Sequence, residues 1–149
     1  LLGLVGSEMC IRDSLNCKYI FLDHISIVIS GISEGDERRN IDNLMTNLRK
    51  LVEEVNCGMF VVSHLKRVDS KTGHEEGIQT SLSHLRGSHS LAQLSDAVIG
   101  FERDQQSETE NNIMTVRVLK NRFTGDTGVA CDLIWNKDTG RLVEGNFDE

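Results

Sequence analysis

KYIFLDHIS, running from Lys18 to Ser26, decides how the rest of the chain is read. Tyr19, Ile20, Phe21 and Leu22 are aromatic, β-branched or leucine with no charge among them, which suits a short strand buried on both faces of a sheet. A carboxylate, Asp23, follows at once. In open α/β sheets ligands lie in the crevice beyond the carboxyl ends of the strands, so an acid at that tip faces the ligand position. In a nucleotide-binding protein such an acid holds the hydrated Mg²⁺ that bridges phosphate oxygens, as in a Walker-B strand. A plain strand-end turn acid has the same pattern, and the neighbouring elements must choose between the two.

Working outward, a second apolar run, Ile25 to Ile29, leads into a polar loop up to Gly35. Ile41, Leu44, Met45, Leu48, Leu51, Val52 and Val55 then recur in steps that place them on one stripe of an amphipathic helix packed on a sheet. Asp36 and Glu37 suit the positive end of its dipole, and Asn56 and Gly58 mark its stop. GMFVVSH, Gly58 to His64, reads as a second buried strand. Strand, helix and strand with short joins make a βαβ unit with parallel strands and a right-handed crossover. Asp23 and the pair Ser63 and His64 are therefore expected on one edge of the sheet. For His64 the competing reading is a capping or turn histidine.

Leu65 to Thr80 has no apolar period and carries Lys66, Arg67 and Lys71, which suit a phosphate backbone, although Asp69, Glu75 and Glu76 dilute them and a solvated loop fits as well. In LRGSHSLAQLSD, Ser88 or Ser90 is placed to cap a short helix with Leu91 and Leu94 on its face, and Arg86, Gly87 and Ser88 form a turn whose N–H groups suit an anion. Ala97 to Phe101 reads as a third core strand, and Ile113 to Leu119 alternates as a strand does. Lys120 and Arg122 stand on alternate positions at its end, and Gly125, Asp126 and Gly128 supply the turn of an antiparallel hairpin to Val129–Trp135.

Composition bounds the class. The 149 residues, 38% hydrophobic and 26% charged, describe one globular domain or a large piece of one. No apolar run is long enough to span a bilayer, so no membrane partner and a cytosolic location are expected. A net charge of -7 argues against a dedicated basic coat for nucleic acid, but not against local patches. Cys10, Cys17, Cys57 and Cys131 show no CxxC and read as free thiols, and of the five histidines only His84 and His89 come near a metal-ligand spacing. The absence of proline points to Gly, Asn and Asp turns. Residues 1–17 open on Leu1 and are expected to be a non-family segment, in which the lack of a period over Glu8 to Ser14 favours foreign sequence joined to a fragment over a native upstream linker; 144–149 form a polar tail.

Six separated motifs, LDHISIVISG, DERRNIDNLMTNLRKLVEE, VSHLKR, GHEEG, LSHLRGSHSLAQLSDAVIGFERDQQ and LKNRFTGDTGVACDLIWNKDTGRL, resemble in their order the C-terminal helicase half of T-odd phage primase-helicases and their mitochondrial relative Twinkle, within the DnaB-like superfamily. The resemblance covers residues 18–143. It implies the distal part of a RecA-like P-loop NTPase core: α/β, a mainly parallel sheet flanked by helices, a C-terminal antiparallel hairpin, and the P-loop strand missing. It also implies a hexameric ring that moves 5′ to 3′ on single-stranded DNA and splits the duplex, with ATP or dTTP and Mg²⁺ between subunits and a replication polymerase as a further partner. A phage source would place it in the host cytoplasm rather than a mitochondrion.

The same resemblance implies roles by position. Asp23 matches the acid that orders Mg²⁺ through water, and His64 the sensor of the γ-phosphate, which relays its loss to Lys66, Arg67 and Lys71 in the DNA loop. Arg122, beside Lys120, matches an arginine finger given to the neighbouring subunit. Arg103 and Trp135 match residues that sandwich the base, with Trp135 where relatives often carry Tyr; a core tryptophan is the competing reading. Arg86, Gly87, Ser88 and Gln93 match the last helicase motif, whose loop faces DNA. No GxxxxGK[ST] and no upstream catalytic glutamate occur, so the fragment is expected to be inactive alone. The alternative is a non-catalytic RecA-like module that binds single strands or assembles a ring.

Overall fold

The computed structural model describes residues 18–31, 36–66, 73–85 and 89–145. They fall into two compact units. The first is built from β1 (Tyr19–Leu22), α1 (Ile25–Ser30), α2 (Glu37–Val55), β2 (Gly58–Val61) and α3 (His89–Leu94).

α2 forms where its apolar spacing places it. The Asp36 side chain accepts from the Arg38 N–H at 3.0 Å and satisfies a donor that the first turn leaves open. Asn56, in the left-handed region at φ 50, closes the other end, its N–H donating to Val52 O. Ile41, Leu44, Met45, Leu48, Leu51 and Val55 form its buried stripe. Most of that stripe joins Leu22, Ile25, Ile29 and Leu91 in one core, while Leu51 and Val55 close on Cys57 with Ile20 and Met59. The run Ile25–Ile29 is a short helix that turns Ile25 and Ile29 into this core.

β1 and β2 pair in parallel, Tyr19 opposite Gly58 through Leu22 opposite Val61, as the βαβ pattern requires. Two expectations need correction. β2 ends at Val61, short of His64. Neither strand is buried on both faces: Tyr19 is 64%, Phe21 74% and Phe60 52% exposed. The helices cover only the face carrying Leu22, Met59 and Val61. On the other, Phe21 and Phe60 stack at 4.6 Å with planes 6° apart, and Tyr19 lies tilted at 6.2 Å from Phe60. An aromatic column on an open sheet face is apolar area of the kind that binds another surface.

The second unit holds an antiparallel sheet, β3 (Ala97–Glu102), β4 (Ile113–Asn121), β5 (Gly128–Asn136) and β6 (Arg141–Glu144), in that order. The antiparallel part is therefore larger than a hairpin, and parallel pairing among the described residues is confined to β1 and β2. β3 runs against β4 because a turn-rich link, residues 103–112, returns the chain without a crossover helix. β3 is also not a fully buried strand, since Ile99 and Phe101 on one face are exposed and only Gly100 and Glu102 on the other are covered.

That covered face carries a buried charge. Glu102, 8% exposed, accepts from Arg117 Nε at 2.7 Å and Nη2 at 3.0 Å, and from both the N–H and the hydroxyl of Thr80 at 2.6 Å. The bonds to Thr80 pin a segment that Gln105 N to Glu75 O, at 2.8 Å, holds further along. A Cβ at Gly100 would overlap the Thr80 hydroxyl, so the close approach needs glycine here.

Burial pushes the Glu102 carboxyl up, but the hydrogen bonds from Arg117 and Thr80 outweigh it and hold the group below its ordinary value of 4.5. A folded value below the unfolded one means that the contribution to stability is complete above that ordinary value and is lost as pH falls through the folded value. Thermal melts into the acid range are expected to show this loss, and Glu102→Gln to lower stability at neutral pH while flattening the acid limb. An unchanged acid limb would count against the network.

Candidate nucleotide and nucleic-acid site

In the first unit the parallel ladder runs past the ends of β1 and β2: Val62 N donates to Leu22 O at 2.9 Å and Ile25 N to Val62 O at 3.0 Å. Asp23 and His64 consequently leave their strands on the same rim, both exposed. His24, which the sequence alone did not single out, packs its ring on that of His64 with centroids 4.1 Å apart. His24 Nδ1 is buried without a hydrogen-bond partner among the described residues, and the Asp23–His24 peptide is cis. The rim thus presents a carboxylate beside two imidazoles, one acceptor-only group and two that donate or accept.

In the second unit Lys66 is exposed, its N–H donating to His84 O at 2.8 Å, and the His74 ring Nε2 donates to Lys66 O at 3.1 Å. Arg67 and Lys71, like Arg86, Gly87 and Ser88, lie outside the described residues. Gln93 is exposed on α3 of the first unit.

The β4–β5 turn is organised by Asn121, whose Oδ1 accepts from Phe123 N at 3.0 Å and Thr124 N at 3.4 Å. Gly125 at φ 81 supplies the left-handed step. Arg122 is held at the start of this turn with its side chain 52% exposed. Both cations reach back to one dipeptide: Lys120 Nζ donates to Ser95 O at 2.8 Å, and Arg122 Nη1 donates to Asp96 Oδ1 at 2.9 Å.

Arg103 and Trp135 are likewise tied to adjacent carbonyls. Arg103 Nε donates to Asn111 O at 2.6 Å, and Trp135 N to Asn112 O at 2.8 Å. Trp135, 38% exposed, is not a core tryptophan. The first bond fixes the Arg103 guanidinium, and the second, made by the main-chain N–H of Trp135, fixes the strand that carries the indole. No side-chain pattern announces the Asn111–Asn112 link, because both bonds use backbone carbonyls.

Comparison with known families decides what these arrangements belong to. The model of the DnaB-like helicase C terminal domain matches residues 8–144. The chain belongs to the DnaB-like helicase family. Its match takes in residues 8–17, which the sequence by itself gave no reason to include. Among curated relatives, the DNA helicase/primase of Enterobacteria phage T3 is 45% identical over 144 residues, 97% of this chain and 25% of the relative. The chain therefore spans about a quarter of the length of that relative. Among solved structures, a DnaB-like replicative helicase described with its interactions with primase matches with a TM-score of 0.64 at 22% identity, covering 84% of this chain and 29% of that one. At that identity the likeness shows the fold, the RecA-like α/β fold of DnaB-like helicases.

Asp23 suits the metal expected of such a domain. Mg²⁺ keeps several waters and is bound through one or two carboxylates plus substrate phosphates, and Asp23 is an exposed carboxylate at a strand tip. No helix among the described residues is long and apolar enough to cross a membrane.

Proposed function

We propose that this chain is the distal part of a replicative ring helicase that couples NTP hydrolysis to 5′ to 3′ movement on single-stranded DNA and to strand separation. The observation that carries this reading is the shared rim of Asp23 and His64 at the ends of two parallel strands. An acid and an imidazole delivered together to a sheet edge suit phosphate chemistry at the position where α/β folds hold ligands.

Asp23 would hold hydrated Mg²⁺, and the bound ion would neutralise charge on the phosphate oxygens. His64 stands within two residues of Lys66, so contact with a terminal phosphate biases the backbone that leads into the cationic loop. Arg122, exposed at a turn, is presented to a neighbouring subunit's nucleotide, while Arg103 and Trp135 hold the base. The phosphate cradle is to be sought in the remainder of the full-length protein, since no GxxxxGK[ST] lies within these residues. The second reading is a non-catalytic module that binds single strands or assembles a ring, and the experiment below separates the two.

The test is strand separation by the full-length protein on forked duplexes with one tail removed, with Mg²⁺ and ATP or dTTP supplied. Separation that requires a 5′ tail is expected. Single-strand binding without NTP-dependent separation would select the non-catalytic module. Binding itself is expected to weaken with salt, and replacing Lys66, Arg67 and Lys71 by Ala to shrink the slope of log affinity on log salt by about 0.7 for each lost phosphate contact. An unchanged slope would remove these cations from the DNA interface.

A further inference from the structure

We propose that Asp96 is a positioning residue for Arg122, setting the guanidinium at the angle from which it meets a neighbouring subunit's nucleotide; this rests on the reading of Arg122 as a trans-acting finger. Arginine has a long stem with large rotamer freedom, and an exposed one does not hold a single orientation unless something fixes it. Here the fixing is done twice by one residue. Arg122 N donates to Asp96 O at 2.8 Å, which places the backbone, and Arg122 Nη1 donates to Asp96 Oδ1 at 2.9 Å, which places the side chain.

The geometry leaves work for the rest of the group. A guanidinium has five N–H donors in a rigid plane, so a carboxylate on Nη1 narrows the directions that plane can take and occupies one donor only. The carboxylate acts on the cation as a hydrogen-bonded carboxylate acts on a metal-bound histidine, holding its direction without itself touching substrate. Ser95, the preceding residue, does the same for the other cation, its carbonyl accepting from Lys120 Nζ at 2.8 Å. Asp96 and Arg122 are 26 residues apart in sequence and meet because Ala97 pairs with Asn121 in the antiparallel register. The strand pairing itself thus brings Asp96 to the root of the finger.

The pair is half exposed, with side chains 52% and 36% accessible, so it is a weak contributor to folding. A purely structural salt bridge at this position would be nearly silent in turnover. A positioning role would not be.

The experiment is a double-mutant cycle in the full-length protein, with steady-state NTP hydrolysis and melting temperature as readouts. Asp96→Asn keeps the shape and removes the charge; it is expected to lower kcat about 10- to 100-fold, the loss typical of an orienting partner, with KM and melting temperature nearly unchanged. Asp96→Glu is expected to recover part of the rate. In the presence of Arg122→Ala, Asp96→Asn is expected to have no further effect, because its influence passes through the guanidinium. Equal losses from Asp96→Asn with and without Arg122, or a fall in melting temperature that accounts for the rate, would overturn the proposal. So would unchanged turnover in Asp96→Asn. Failure of the finger reading itself has a different signature: Arg122→Ala alone would leave hydrolysis intact.

Discussion

Replacing Arg122 by Ala in the full-length protein is expected to reduce NTP turnover by about 10³ to 10⁵, the range over which an arginine finger acts in related phosphoryl transfer. The reason is the charge that spreads over the transferred phosphoryl group as the bond breaks. A planar, permanently charged guanidinium meets that charge with directed donors, and the interaction strengthens only as the charge develops. Nucleotide affinity should therefore change little. Arg122→Lys should fall between wild type and Ala, since an ammonium keeps the charge and loses the fork. Mixing Arg122→Ala protein with excess wild type should restore turnover in proportion to wild-type neighbours, because the group is read as acting across a subunit boundary. Its exposure at the β4–β5 turn is what allows this. Full turnover by Arg122→Ala protein alone would refute the assignment.

The second large effect is expected at Asp23. Replacement by Asn removes the only charge of the side chain while keeping its size. Charge stabilisation by a metal ion is worth several kcal/mol, so losing the proposed Mg²⁺ ligand should cost about 10² to 10³ in turnover. The accompanying signature separates metal handling from misfolding. Wild-type binding of a fluorescent nucleotide should tighten on addition of Mg²⁺; Asp23→Asn should bind the nucleotide with little Mg²⁺ dependence, with its melting temperature preserved because Asp23 is exposed. Normal Mg²⁺ dependence in Asp23→Asn would return Asp23 to a simple turn acid.

Much of this arrangement is legible in the sequence where the signal is local. The stripe from Ile41 to Val55 states a helix, Asp36 states where it starts and Asn56 where it stops, and each is observed in that role. The turn after Arg122 is legible for the same reason, as Gly125 and Gly128 both take positive φ. What escapes local reading is anything that depends on a partner distant in the chain. Thr80 and Glu102 meet across 22 residues, and nothing in either neighbourhood announces it. Tyr19, Phe21 and Phe60 look like core residues, yet their burial depends on a layer that composition cannot supply, and their face is open.

Within the chain, then, periodicity, caps and turn residues determined the strand–helix–strand unit and the later hairpin and drew attention to Asp23, His64, Lys120 and Arg122, while Arg103 and Trp135 became candidates only through the family resemblance. Those signals act over a few residues, through backbone preference and the repeat of apolar side chains. Only the tertiary structure decided that His24 stacks on His64, that β3 runs antiparallel to β4, and that Asp96 lies against Arg122. These follow from strand register and packing between residues far apart in the chain, where the free energy of association, and not local preference, selects the partner.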